Sequence, residues 1–132
     1  MPNNLHVTLD KSTTPWSLDV DQQGNANHVN QSPSAQTITW QLTGNAASGS
    51  FVALSDPAPG FAWVGAAPPA GIFGSPTLGA NGNQLTISDL NNSASTAGSW
   101  NYILRATIGG TVYSTISTSI AATTTNPTIK NK

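Results

Sequence analysis

Five aspartates and two histidines are the side chains in this sequence that offer general acid–base or hard-metal chemistry near neutral pH: Asp10, Asp19, Asp21, Asp56, Asp89, His6 and His28. There is no Glu and no Cys, which removes thiolate nucleophiles, disulfides and Cys-ligated zinc. The acids cluster once, in Asp19-Val20-Asp21-Gln22-Gln23-Gly24-Asn25. That run approximates the opening of a calcium loop, where alternate carboxylates and a turn glycine surround a hard cation. Gln23 replaces the third acid, and the twelfth position is Asn30 where such a loop carries Glu. A polar turn closing a strand accounts for Asp19 and Asp21 more simply, so no metal and no cofactor is expected. A histidine site would need His6 and His28 to converge with Asp10, Asp19 or Asp21. A Ser-His-Asp triad can be assembled on paper from 15 Ser residues, and no Gly-x-Ser-x-Gly elbow supports one. The expectation is a non-enzymatic protein.

The aromatic residues offer binding chemistry. Trp16, Trp40 and Trp100 fall at inward positions of alternating segments, which assigns them to the core. Trp63 follows a Pro/Gly segment and is the tryptophan expected to meet solvent. With Phe61, Ile72 and Phe73 it would form an apolar patch for a protein partner or a second copy. An exposed ring beside Asn, Gln and Thr also suits a sugar, whose apolar face stacks while amides bond its hydroxyls. Phe61, Trp63 and Phe73 are therefore the candidate binding residues.

The elements that must position these groups are strands. Apolar and polar residues alternate at Leu5-Val7-Leu9, Trp16-Leu18-Val20, Ile38-Trp40-Leu42, Leu85-Ile87 and Trp100-Tyr102-Leu104-Ala106-Ile108. Phe51 to Leu54 and Phe61 to Val64 are short apolar runs. Val112, Ile116 and Ile120 continue the pattern after Gly109-Gly110. Seven to nine short strands with turn signals between them indicate an antiparallel sandwich or barrel. Asn81-Gly82 suits a tight turn. Parity predicts a three-residue loop with a bulge at Gly109-Gly110, because only that register aligns Leu104 with Val112 and Ile116 on one face. A two-residue loop would leave apolar groups on both faces. Pro68-Pro69 places Ala66 to Gly71 in a loop or at a sheet edge.

Composition narrows the partners. Lys and Arg together number only 4, so an electrostatic grip on nucleic acid or anionic lipid is excluded. Residues 57–88 carry no charge and hold five of the nine prolines. The formal net charge of −1 leaves little colloidal repulsion against self-association. No secretory signal and no membrane span is visible, which makes the cytoplasm the default expectation. The triplets Asn30-Gln31-Ser32 and Asn91-Asn92-Ser93 match the glycosylation pattern by chance. Length and composition suit one domain over 1–132, with frayed ends at about 1–4 and 123–132.

Gln84-Leu85-Thr86-Ile87-Ser88-Asp89-Leu90 resembles strand E of an immunoglobulin-like domain, and Ala97-Gly98-Ser99-Trp100-Asn101-Tyr102 resembles its E–F corner. Trp100 stands in the corner aromatic's place and Tyr102 in that of the cysteine. Thr37 to Leu42 resembles strand B, and Trp63 the strand C tryptophan. The resemblance, to bacterial immunoglobulin-like β-sandwich domains, covers about two thirds of the chain. The whole chain is similar to the DP-EP family of small bacterial single-domain proteins. This implies an all-β, immunoglobulin-like antiparallel β-sandwich and assigns no activity. The functional expectation is a structural or protein-interaction domain that self-associates, with carbohydrate binding as the alternative.

Overall fold

A computed structural model describes residues 4–12, 16–21, 26–115 and 127–132. The protein is all-β. Eleven strands occur among the described residues: β1 (Asn4–Asp10), β2 (Ser17–Val20), β3 (Ala26–Val29), β4 (Gln36–Leu42), β5 (Ser50–Phe51), β6 (Phe61–Val64), β7 (Thr77–Leu78), β8 (Gln84–Asp89), β9 (Gly98–Ile108), β10 (Thr111–Ser114) and β11 (Thr128–Asn131). One sheet has the order β2-β1-β4-β8-β7. The other runs β10-β9-β11-β3, with β5 and β6 also paired to β9. Both sheets are mixed, because β1 runs parallel to β4 and β3 parallel to β11. The expected purely antiparallel arrangement is corrected on this point, and the strand count exceeds the expected seven to nine.

The alternation translates directly into burial. Leu5, Val7 and Leu9 of β1, Ile38, Trp40 and Leu42 of β4, and Leu85 and Ile87 of β8 are buried. They share one core with Val29, Phe51, Phe61, Tyr102, Leu104, Ala106 and Ile129 of the second sheet. Each large aliphatic side chain so buried contributes about 1.5–3 kcal/mol. Trp40 Nε1 donates to the Tyr102 hydroxyl at 3.1 Å, joining the sheets at the centre of the core. Where β4 ends, Asn45 replaces it. Its side-chain amide accepts from Leu9 N–H at 2.9 Å and donates to Leu9 C=O at 2.8 Å, as a neighbouring strand would.

Two expectations are overturned, one by turn chemistry and one by pairing between strands remote in sequence. The β9–β10 hairpin pairs Ile108 with Thr111 and Val112 with Thr107, so its loop is the two residues Gly109-Gly110. Both have positive φ, +60° and +84°, as a type I′ turn requires. The turn prevails over apolar alignment, and Val112 is left 56% exposed. Ile116 and Ile120 lie outside the described residues. The expected frayed tail is corrected for residues 127–132. Thr128–Asn131 is an interior strand between β9 and β3, and Ile129 is fully buried. The expected fraying at 1–4 does not reach Asn4, which opens β1. Other turns follow expectation: Gly82 has φ +74°, and Ala66–Gly71 is free of strand apart from an isolated bridge of Ala70 to Phe73.

The corner segment shows why Gly98 is glycine. The Trp100 ring folds back over it, and a Cβ at position 98 would stand 2.8 Å from that ring. Its φ of +154° is also a conformation that side chains rarely adopt.

Candidate functional site

The acidic motif is divided by the fold. Asp19 lies on β2 opposite Thr8, one position before the strand ends. Asp21 continues the pairing: its N–H donates to His6 C=O at 3.0 Å, and its Oδ1 accepts from His6 N–H at 2.6 Å. Its Oδ2 lies 3.3 Å from His6 Nδ1. Asp10 accepts from Ser12 Oγ at 2.6 Å and Ser12 N–H at 2.9 Å, which lowers its pKa. Asp19 has its pKa raised by burial first, then by the neighbouring charges of Asp10 and Asp21. A twelve-residue loop from Asp19 to Asn30 would have to contain β3, which belongs to the other sheet. The frame is therefore not one compact loop. Gln22 to Asn25 lie outside the described residues. Among the described residues no three His, Cys, Asp or Glu side chains gather as a metal site.

His6 points outward, as alternation predicts, and its pair with Asp21 is exposed on both sides, 61% and 51%. His28, expected in a loop, lies on β3 opposite Lys130, in the other sheet from His6. A surface cavity of about 240 Å³ is lined by Gln31, Ser32, Pro33 and Asn92, none of them ionisable. No His–Asp pair lines it.

The aromatic candidates do come together. Phe61 meets Trp63 edge-on at 5.0 Å between ring centroids, and Trp63 meets Phe73 at 4.8 Å. Phe73 meets Trp100 edge-on at 5.5 Å. Inward, Phe61 stacks on Tyr102 at 5.5 Å and touches Trp40 at 5.4 Å. The cluster grades from core to surface: Phe61 and Ile72 are buried, while Trp63, Phe73 and Trp100 are half-buried. Phe61 and Ile72 are core residues, which corrects their place on an exposed patch. Geometries of this kind add about 0.5–1.5 kcal/mol per pair beyond burial.

The strand carrying Phe61 and Trp63 is a sheet edge. Among the described residues β6 pairs only with β9. Arg105 of β9 exchanges main-chain bonds with Gly60 and Val52, while Tyr102 N–H turns the other way to Pro127. By alternation Ala62 and Val64 bond β9, and Phe61 and Trp63 direct their N–H and C=O groups away from it. Among the described residues no group bonds those four. Charged gatekeepers are absent too, since 57–88 contains no Asp, Lys or Arg.

Sequence parity misplaces two tryptophans. Trp100, expected in the core, is only half-buried. Trp16, expected in the core, is 42% exposed just before β2 begins. It stacks with Tyr113 of β10 at 6.0 Å and 23°, and Lys11 Nζ lies 4.8 Å from its ring centroid. The exposed tryptophan is thus Trp16, with Trp63 partly covered. Tyr113 gave no sequence signal, because its face is set by the two-residue hairpin loop.

A polar group closes the core between the last residues of β8 and β11. Asp89 and Asn131 are both buried, and Asn131 Nδ2 donates to Asp89 Oδ1 at 2.9 Å. Beside them buried Asn91 donates to Val29 C=O at 2.9 Å and Lys132 C=O at 3.3 Å, and accepts from Thr96 Oγ1 at 2.9 Å. Asn91, one of the two glycosylation-triplet asparagines, has its amide engaged in the interior. Among the described residues no helix is long and apolar enough to cross a membrane. No protein-family model, curated protein or solved structure matches the chain.

Proposed function

We propose that this protein is a non-enzymatic, immunoglobulin-like β-sandwich that works by protein contact, with a second copy of itself as the first partner. The observation that carries this reading is the β6 edge. It presents two residues' worth of unbonded main chain within an uncharged segment, backed by half-buried Trp63 and Phe73. Antiparallel β6–β6 pairing about a twofold axis would satisfy those groups on both chains. The near-neutral chain opposes such contact only slightly. The immunoglobulin-like part of the reading is supported by Trp40 and Tyr102. They join the strand-B-like and strand-F-like segments across the sheets, where antibody domains place their disulfide. Light scattering during size-exclusion chromatography is expected to give a concentration-dependent mass of two chains. Ala62→Lys, which adds a charge on the outer face of the edge, is expected to give one. A single-chain mass for the wild type at millimolar concentration would remove the self-association reading.

The exposed Trp16–Tyr113 pair favours carbohydrate binding as a second reading. Two neighbouring rings with an ammonium group beside them resemble a stacking platform for a sugar face. A glycan array is expected to yield hits that Trp16→Ala abolishes. An array without hits would exclude this reading.

A further inference from the structure

Two buried oxygens at the junction of the sheets lack a donor among the described residues: Asp89 Oδ2 and Asn131 Oδ1. Their residues are already joined. Asn131 Nδ2 uses one hydrogen on Asp89 Oδ1 at 2.9 Å and the other on Thr96 C=O at 3.0 Å. The Asn131 amide therefore has no donor left to give, and an ionised Asp89 has none at all. As a carboxylate and an amide, the pair leaves one unsatisfied buried acceptor on each partner, which is unfavourable. One proton changes the count on both sides. With Oδ2 protonated, Asp89 gains an O–H donor, and Asn131 Oδ1, on the residue it already bonds, is an acceptor without a partner among the described residues.

We infer that Asp89 is a proton-binding site in the folded protein, and that its neutral carboxyl clips β8 to β11 across the core. Deprotonation opens half of the clip. The surroundings agree. Gln36 of β4 is the ladder partner of Asp89, and Phe73 bridges to its main chain. The nearest cationic residues along β11, Lys130 and Lys132, are exposed, and His28 lies beside Lys130 on β3. Burial raises the Asp89 pKa from 3.8 to about 6, with the Asn131 bond opposing the rise. The folded chain thus holds this proton roughly 100-fold more tightly than the unfolded chain.

The sign follows. A raised folded pKa gives stability that is complete below about pH 4, declines between about 4 and 6, and is lost above. Asp89→Asn supplies the same shape with a permanent donor, since its amide can bond Asn131 Oδ1 at every pH. The melting temperatures of wild type and Asp89→Asn are expected to be close at pH 4. The variant should melt progressively higher from about pH 4 to 6, with the gap constant above that. A gap independent of pH, or a wild type more stable than the variant at pH 8, would overturn the inference. The ¹³C carboxyl resonance of Asp89 in the wild type provides a second reading, independent of whether the variant folds. A midpoint near 6 supports the proposal, and a midpoint at or below 4 overturns it. Calcium or sodium chloride titrated at pH 8 separates a proton from a cation. If either raises the wild-type melting temperature and not that of Asp89→Asn, the oxygens take a cation and the proton proposal fails.

Discussion

Deleting residues 127–132 is expected to leave a chain without a cooperative fold at 25 °C. Circular dichroism melting and limited proteolysis read the outcome. β11 is interior: it pairs with β9 on one side and is the only strand partner of β3 among the described residues. Its loss would strip four residues of ladder from each neighbour and the Pro127 acceptor from Tyr102 N–H. It would also empty the site of fully buried Ile129, which alone is worth about 2–5 kcal/mol when truncated to Ala. Asn91 would lose the Lys132 carbonyl, and Asp89 would lose Asn131. Orphaned buried groups of this kind cost about 1–3 kcal/mol each. The sum rivals the ~5–15 kcal/mol that holds an ordinary domain together. The single change Ile129→Ala should lower unfolding stability by about 2–5 kcal/mol in urea, with an unchanged m-value. A truncated chain that melts within a few degrees of the full one would show that β11 is peripheral.

That expectation runs against the reading of the tail as frayed, and the reason is physical. Period-two patterning detects strands whose buried positions are apolar. The inner positions of β3 and β11 are Asn27, Val29, Ile129 and Asn131, and half of these are amides. An asparagine at a buried position looks like a turn residue until its partner is known, and those partners are remote in sequence: Asn131 meets Asp89, and Asn91 meets Val29. Parallel pairing of β1 with β4 and of β3 with β11 leaves no local signature either. The strands with apolar inner faces, β1, β4, β8 and β9, were legible throughout. At the hairpin, two local rules competed. Gly109-Gly110 satisfied the twist of a two-residue turn, and apolar alignment yielded, which exposes Val112 and brings Tyr113 to Trp16. The candidate site divides the same way. Clustering of Phe61, Trp63 and Phe73 follows from one uncharged Pro/Gly-rich stretch. The Trp16–Tyr113 pair depends on a register that apolar patterning predicted in the wrong phase, and so could not be read.

Trp40→Ala is expected to lower stability by about 3–5 kcal/mol, since it removes the largest fully buried side chain at the centre of the core. Tyr102→Phe isolates the polar part of that contact. It keeps the ring stacked on Phe61 and deletes the oxygen that accepts from Trp40 Nε1, leaving a buried donor unpaired. The expected loss is about 1–3 kcal/mol by urea denaturation. In the double variant Trp40→Phe with Tyr102→Phe, neither half of the bond remains to be orphaned. Its loss should therefore fall below the sum of the Trp40→Phe and Tyr102→Phe single losses, and the shortfall measures the coupling across the sheets. Additive losses would mean that the Trp40–Tyr102 bond contributes nothing beyond packing. The two substitutions should also separate at the β6 edge. Phe61 rests on both rings, so Trp40→Ala removes one support and should weaken association between chains. Tyr102→Phe preserves the stack, and should lower stability while leaving the two-chain mass intact.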